Sequence, residues 1–526
     1  MAAKKPVPII DLFAGPGGLG EGFSSVLDGK GHRRFQIKLS VEKDPVAHKT
    51  LSLRAFYRQF PVNEVPDDYY NYLRGEISRG DLEDRFPKQW EAAYHEAQCL
   101  TLGEDDITKE IDKRLPKDEK NWVLIGGPPC QAYSLVGRAT MSGKGRQRED
   151  ETEEEFELRA VEKRAKFESD HRHTLYLEYL KVIAHRWPAV FVMENVKGIL
   201  SSKLDGVRIF PQILEDLMEP GSAFGRDSKY RYRIKSFVVG EDERMNGILA
   251  DKDYLIKAED YGIPQTRHRV ILLGIREDIS ADGFEVFKKQ PRQTVQETIG
   301  KLPPLTAAYL GKDHNTAREA LIEVFAEDWW GTWSQKEAYH DVLESMVEKS
   351  NKVRAKNNRG AQFVKFKQRK EDSSYNERLG GVCNHETRSH MKTDLWRYFY
   401  NACFAEKNKV SAHLRDFPTP LLPAHKNAHE AVKGSKFGDR FRVQVRDQPS
   451  STIISHISKD GHYFIHYDPS QCRSLTVREA ARLQTFPDDY FFEGPRTQQF
   501  HQVGNAVPPR LAFQIASALT SCSFFA

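Results

Sequence analysis

Cys130 lies near the end of the run Val123-Leu124-Ile125-Gly126-Gly127-Pro128-Pro129-Cys130-Gln131. A short apolar stretch that breaks into two glycines, two prolines and a cysteine reads as a buried strand. Its carboxyl end stiffens into a turn carrying one thiol. Ligands and chemistry in open α/β sheets gather at strand carboxyl ends, and a thiol fixed there is a candidate nucleophile. Most single cysteines are small buried hydrophobes, and taken alone this one reads that way. The nucleophile reading therefore depends on partners, and three other segments supply them.

The first is Asp11-Leu12-Phe13-Ala14-Gly15-Pro16-Gly17-Gly18-Leu19-Gly20, preceded by the strand-like Pro8-Ile9-Ile10. Gly15, Gly17 and Gly20 form a GxGxxG pattern at a strand-to-helix turn, where glycine lets the backbone approach a nucleotide. A second strand, Phe35 to Val41, ends at Glu42, and an acidic residue at that distance suits a ribose diol. Asp106-Ile107 either closes over the base of the same nucleotide or caps a helix. The second segment is Ala189-Val190-Phe191-Val192-Met193-Glu194-Asn195-Val196. It places a half-desolvated carboxylate, suited to carrying a proton, at another strand end. The third is Gln265-Thr266-Arg267-His268-Arg269. Its alternating arginines share one face of an extended chain and suit a phosphate or a carbonyl oxygen.

In this order the segments resemble the motifs of the DNA (cytosine-5) methyltransferases. The glycine segment resembles the family's first motif and Gly-Pro-Pro-Cys-Gln its catalytic motif. Glu194-Asn195-Val196 resembles the ENV motif, and residues 265–269 the QxRxR motif. Arg478-Glu479-Ala480-Ala481-Arg482-Leu483-Gln484-Thr485-Phe486-Pro487 resembles the ninth motif, and Gln502-Val503-Gly504-Asn505-Ala506-Val507-Pro508-Pro509 the tenth. The resemblance implies a thiolate at Cys130 that adds to cytosine C6. Glu194 then holds N3, Arg269 holds the O2 carbonyl, and Asn195 and Arg267 complete the catalytic set. S-adenosylmethionine is the implied methyl donor and S-adenosylhomocysteine the product, with the target base flipped out of the duplex. Cofactor contacts are implied for Phe13, Gly15, Gly17, Gly18, Glu42, Asp106, Ile107, Pro129, Asn505 and Ala506. DNA contacts are implied for Gln131, Ser134 and Thr452.

The 526 residues, 39% hydrophobic, suffice for more than one domain. The expected architecture is a doubly wound, Rossmann-like α/β methyltransferase domain from residues 1–285 and 466–526. A mixed α/β target-recognition domain from residues 286–465 lies between. No apolar run is long enough to span a bilayer. The six cysteines are scattered without a CxxC pair, so no metal site and no disulfide framework is expected. The net charge of +4 is small for a DNA-binding protein, so the DNA surface should be local. Residues 352–378 carry nine Lys or Arg against three acids, and Lys365, Lys367 and Arg369 are its candidate phosphate contacts. The alternative for that run is a solvated loop. His385 and His390 look metal-like, but their spacing favours a structural or DNA-facing role.

Two stretches exceed a minimal family member. Residues 54–105 contain helix-like patterns around Tyr69–Leu73 and Trp90–Tyr94, expected as a helical layer beside the cofactor. Residues 144–170 carry ten acids and seven bases and are expected as a polar helix. The expected partners are double-stranded DNA and a cognate endonuclease or defence-system proteins. The expected location is the cytoplasm, nucleoid-associated, in a bacterium or archaeon. Competing readings are a tRNA cytosine-5 methyltransferase and a non-catalytic DNA-binding relative. An amino-methyltransferase is disfavoured because Gly127 precedes Pro-Pro and Cys130 follows it.

Overall fold

The computed structural model describes residues 5–129, 174–204, 207–240, 249–311, 313–367, 374–424, 438–522 and residues 428, 432, 524 and 525. Cys130, Gln131, Ser134, Arg369 and the 144–170 stretch lie outside the described residues. Eight strands build the main sheet: β1 (Val7–Leu12), β2 (Phe35–Glu42), β3 (Ala97–Cys99), β4 (Val123–Gly126), β5 (Val190–Val196), β6 (Tyr232–Lys235), β7 (Leu255–Lys257) and β8 (His268–Arg276). Their order is β3-β2-β1-β4-β5-β8-β6, with β7 also paired to β8. The first five run parallel, and β8 is antiparallel to β5, β6 and β7. This is the Rossmann-like methyltransferase architecture. The winding reverses between β1 and β4, which opens a crevice at their carboxyl ends.

The central strands read as continuous apolar runs because both faces are covered. Ile9, Val123, Val190, Val192, Ile271 and Leu273 enter one core; Ile10, Leu12, Leu124, Phe191, Met193 and Leu272 enter the other. Successive side chains on a strand alternate faces, so one sequence feeds two cores. Helix α1 (Gly18–Ser24) follows β1 and packs on the C-terminal helix Pro509–Thr520. A Cβ on Gly18 would lie 2.2 Å from the Val507 carbonyl oxygen, and one on Gly22 would lie 2.4 Å from Ala512 Cβ. Only glycine permits that approach. The chain ends meet here: Val7 pairs with Phe35, whose ring lies 6.2 Å from that of Phe525.

The two helix-like patterns at Tyr69–Leu73 and Trp90–Tyr94 are α3 (Asp67–Arg74) and α5 (Pro87–Glu96), flanked by α2 (Pro45–Arg58) and α4 (Arg79–Arg85). Asp44 caps α2 by accepting from the amides of Val46 and Ala47, with Pro45 in the first turn. The four helices share a core in which Phe56 stacks on Trp90 at 4.6 Å. Leu379, Cys383 and Phe491 belong to that core, so the helical layer meets distant parts of the chain.

A separate core surrounds the helix Lys392–Asn408, where Leu395, Phe399 and Cys403 pack with Leu343, Met346, Phe417 and Phe441. Residues 477–506 share a core with Val295, Ile299, Val382, Ile453 and Phe464, whereas Leu511, Ile515 and Leu519 join the sheet. A hairpin, Gly360–Lys365 with Gly381–Glu386, carries part of the basic run. Its Lys365 and the following Lys367 are exposed. His385 and His390 are buried. His385 shares hydrogen bonds with Thr476 Oγ1 at 2.9 Å and the Pro303 carbonyl at 2.8 Å, a structural role.

Candidate active site

The carboxyl ends of β1, β4 and β5 lie side by side because Leu12 pairs with Gly126 and Gly126 with Met193. Glu194 therefore emerges next to Gly127. A Cβ on Gly127 would stand 3.1 Å from Glu194 Oε2, so the glycine keeps the carboxylate close against the turn. Asn195 Nδ2 donates to the Pro128 carbonyl at 3.2 Å and anchors the Pro128-Pro129 turn that leads into Cys130.

Strand β8 carries Arg269, and Arg267 stands just before its first residue. Register places Ile271 opposite Glu194 and Arg269 opposite Val196. Arg269 Nε lies 2.8 Å from Glu194 Oε1, and its Nη1 donates to the His268 carbonyl at 2.8 Å. Arg267 is 2% exposed, and its Nη1 donates to the Ile453 carbonyl at 2.9 Å. Burial, with the Arg269 charge adding to it, pulls the Arg267 guanidinium well below its ordinary value, and Glu194 opposes. Arg267 thus ties the strand entry to residues 450–454 rather than lining an open surface. The same junction holds Thr452, whose hydroxyl donates to the Thr266 carbonyl at 2.7 Å. Gln265 and Thr266 pair in parallel with Ser450 and Ser451.

The glycine loop forms a second half of the crevice. Phe13, Gly15 and Gly17 all take left-handed backbone conformations, with φ of 59°, 57° and 101°. Nothing lies within 4 Å of a Cβ built on Gly15, so that side of the loop is an open cradle. The Gly15 amide donates to Glu42 Oε2 and the Asp44 amide to Glu42 Oε1, each at 2.8 Å. Burial pushes the Glu42 carboxyl up, against the pull of these two amides. A half-buried ring at Phe13, an open glycine and a carboxylate at a strand end fit an adenosine with its ribose diol.

Asp106 is the N-cap of the helix Ile107–Asp112, accepting from the Lys109 amide at 3.1 Å. Its carboxylate is exposed, while Ile107 is buried. Asn505 ends the helix Arg496–Asn505 and is exposed beside the His501 ring at 3.3 Å; Ala506 is buried. Pro129 is half-buried at the end of the described turn. Among the described residues, Asp313, His314 and Glu323 could together hold a metal ion. Lys392 Nζ lies 2.9 Å from Glu323 and supplies a cation there.

Residues absent from the sequence reading also build this region. Tyr490, Arg54 and Glu21 surround the glycine loop from three separate parts of the chain. Gln484, quoted in the segment that resembles the ninth motif, accepts from Gln265 Nε2 at 2.6 Å, a contact the sequence did not indicate. Tyr490 follows Phe486-Pro487 closely, but no spacing rule pairs it with residue 16.

The C-5 cytosine-specific DNA methylase family matches residues 160–521. The chain is 31% identical to the type II methyltransferase M.Bpa9945I of Bacillus paralicheniformis, over 97% of this chain and 98% of that protein. It is 26% identical to the DNA (cytosine-5-)-methyltransferase M.ApeKI of Aeropyrum pernix, over 76% of this chain and 80% of that one. It is 24% identical to the type II methyltransferase M.AgeI of Thalassovita gelatinovora, over 97% and 98%. The chain belongs to the C-5 cytosine-specific DNA methylase family. It is an enzyme, a DNA (cytosine-5-)-methyltransferase, and S-adenosylmethionine is the methyl donor of its family.

Proposed function

We propose that the enzyme methylates C5 of a cytosine flipped out of a specific duplex sequence, through a covalent bond from Cys130 sulfur to C6. The observation that carries this is the Glu194–Arg269 pair, 2.8 Å apart, beside the turn that leads into Cys130. Cytosine C5 is a poor nucleophile. When the thiolate adds to C6, the C5–C6 double bond opens and negative charge builds on N3 and O2. Glu194 is positioned to hold a proton at N3, and Arg269 to bind the O2 carbonyl. Bound S-adenosylmethionine supplies an electrophilic methyl group. Loss of the C5 proton to a base then restores the double bond and expels the Cys130 thiolate.

Phe13, Gly15, Gly17, Gly18, Glu42, Asp106, Ile107, Pro129, Asn505 and Ala506 form the proposed cofactor site. The open cradle at Gly15 and the Glu42 carboxylate support it. Residues 1–285 and 466–526 are the proposed catalytic domain, and residues 286–465 the proposed DNA reader. Lys365 and Lys367, exposed on and just beyond the hairpin, are its phosphate contacts together with Arg369, and Gln131 and Ser134 contact the DNA from the catalytic domain. The type II names of M.Bpa9945I and M.AgeI support a place in restriction–modification, with a cognate endonuclease and a role against phage. No helix among the described residues is long and apolar enough to cross a membrane, and we place the enzyme in the cytoplasm.

A duplex carrying 5-fluorocytosine at the target tests the covalent step, because fluorine cannot leave C5 as a cation. The intact enzyme with S-adenosylmethionine should form an adduct that survives denaturing electrophoresis. Cys130→Ser should form none. An adduct in that variant rules out Cys130 as the nucleophile.

A further inference from the structure

We propose that Tyr490 is a positioning residue for the cofactor loop, holding Pro16 so that Gly15 and Gly17 stay in the conformation that receives S-adenosylmethionine. The proposal rests on the assignment of that loop to the cofactor. Three left-handed residues lie within five positions, at Phe13, Gly15 and Gly17. The two glycines adopt it freely, but Phe13 does so only where its surroundings over-determine it, and glycine's freedom leaves the rest of the loop to be fixed by contacts. The Gly15 end is held by Glu42 at 2.8 Å. The Pro16 end is held from more than 470 positions away, where the Tyr490 hydroxyl donates to the Pro16 carbonyl. Proline's ring fixes φ at residue 16 but leaves the direction of its carbonyl to ψ, and the Tyr490 hydroxyl is the contact that holds it. The phenol also fills the space beside the next residue: a Cβ on Gly17 would stand 2.9 Å from Tyr490 Oη.

Tyr490 is itself immobilised. It is fully buried, its ring lies 4.6 Å from Phe486 and 5.4 Å from Phe492, and its carbonyl accepts from Arg478 Nη2 at 2.6 Å. Burial pushes the phenol up, so it stays a donor across the physiological range. The preceding residue braces the helix that follows the loop. Asp489 lies 3.7 Å from Arg54 Nη1. Arg54 makes two bonds to Glu21 of α1, from Nη2 at 2.6 Å and Nε at 2.8 Å. Adjacent residues of the C-terminal segment therefore fix both the loop and the helix it enters.

The test is S-adenosylmethionine binding by titration calorimetry, without DNA, alongside steady-state kinetics and thermal melting. Tyr490→Phe removes only the hydroxyl. Its dissociation constant and its KM for the cofactor should rise roughly 5- to 10-fold, the loss expected for one hydrogen bond, with kcat and DNA affinity nearly unchanged. Tyr232→Phe is the control, because Tyr232 donates to the Pro188 carbonyl at 2.8 Å in the same buried fashion but does not touch the loop. It should lower thermal stability and leave cofactor binding intact. Equal weakening in Tyr232→Phe, or unchanged binding in Tyr490→Phe, overturns the proposal. If Tyr490→Phe does not fold, Phe486→Leu loosens the ring packing that seats the Tyr490 hydroxyl and reads the same clamp: weaker cofactor binding supports the proposal and unchanged binding overturns it. Phe13→Ala separates the two layers. Unchanged binding in that variant counts against the cofactor site itself, whereas loss there with wild-type binding in Tyr490→Phe counts against the positioning role alone.

Discussion

Arg269 reaches across the antiparallel pairing of two strands to set its Nε 2.8 Å from Glu194 Oε1. Both side chains sit at the mouth of the crevice, and each is assigned to one polar edge of the same pyrimidine. Their contact keeps the two groups in register before a base arrives, so little reorganisation is needed when charge develops.

Glu194→Gln should therefore lower turnover by roughly 10²- to 10⁴-fold, the usual worth of a positioned acid–base group. Cofactor affinity should stay within about twofold, because the cradle lies on β1 and β2 rather than β5. Single-turnover methylation and calorimetric binding on the same preparation check both halves. A large loss of cofactor affinity would move Glu194 out of the base pocket.

Cys130→Ser should abolish methylation while DNA and cofactor still bind, since the thiol is assigned only to the covalent step. Gel-shift and calorimetric titrations of the inactive variant check this. Retained turnover removes the nucleophile assignment.

Much of this was legible in the sequence, because strand ends that carry chemistry are short apolar runs followed by polar residues. The glycine loop, Glu42, Glu194 and Arg269 fall where those runs placed them, and the helical layer around Tyr69 and Trp90 was visible as a pattern. Arg267 was read as sharing an open face with Arg269, yet its guanidinium is sealed against Ile453. That carbonyl lies 186 positions along the chain, and periodicity carries no information about such a contact. The clamp on Pro16 and the Arg54–Glu21 pair escaped for the same reason. Asp106 had two readings, and the helix-cap geometry is what its side chain adopts.

Gly22→Ala should destabilise the enzyme by about 1–3 kcal/mol, the cost of overpacking a well-filled contact. The added methyl would stand 2.4 Å from both Ala512 Cβ and the Pro509 carbonyl, prising α1 from the C-terminal helix. Thermal melting should show the drop. An unchanged melting temperature would mean that this helix contact adapts freely.

The buried histidines should cost stability on mild acidification, while Asp11, whose carboxyl burial pushes up to about 8, works the other way. Burial pulls His385 down from 6.5 to about 4, with the nearby Glu479 carboxylate opposing, and His466 is likewise lowered to about 4. Above about pH 6.5 both histidines are neutral, folded or unfolded. As the pH falls from about 6.5 towards 4 the unfolded chain takes up protons first, so stability is lost across that window, by up to about 3 kcal/mol per site. Urea midpoints at several pH values measure the slope, which His385→Gln should reduce. An unchanged slope in His385→Gln would show that this histidine does not carry the effect.

Deleting residues 144–170 should leave methyl transfer intact if this charged stretch stands apart from the chemistry. An inactive but folded deletion, judged by circular dichroism and cofactor binding, would assign the stretch to DNA closure.

The central claim is tested most directly by following labelled methyl from S-adenosylmethionine onto unmethylated duplex DNA, with a tRNA pool in parallel and nucleoside analysis of both products. The account predicts label in DNA as 5-methylcytosine and none in tRNA. Label confined to tRNA, or carried in DNA by any other nucleoside, would contradict it.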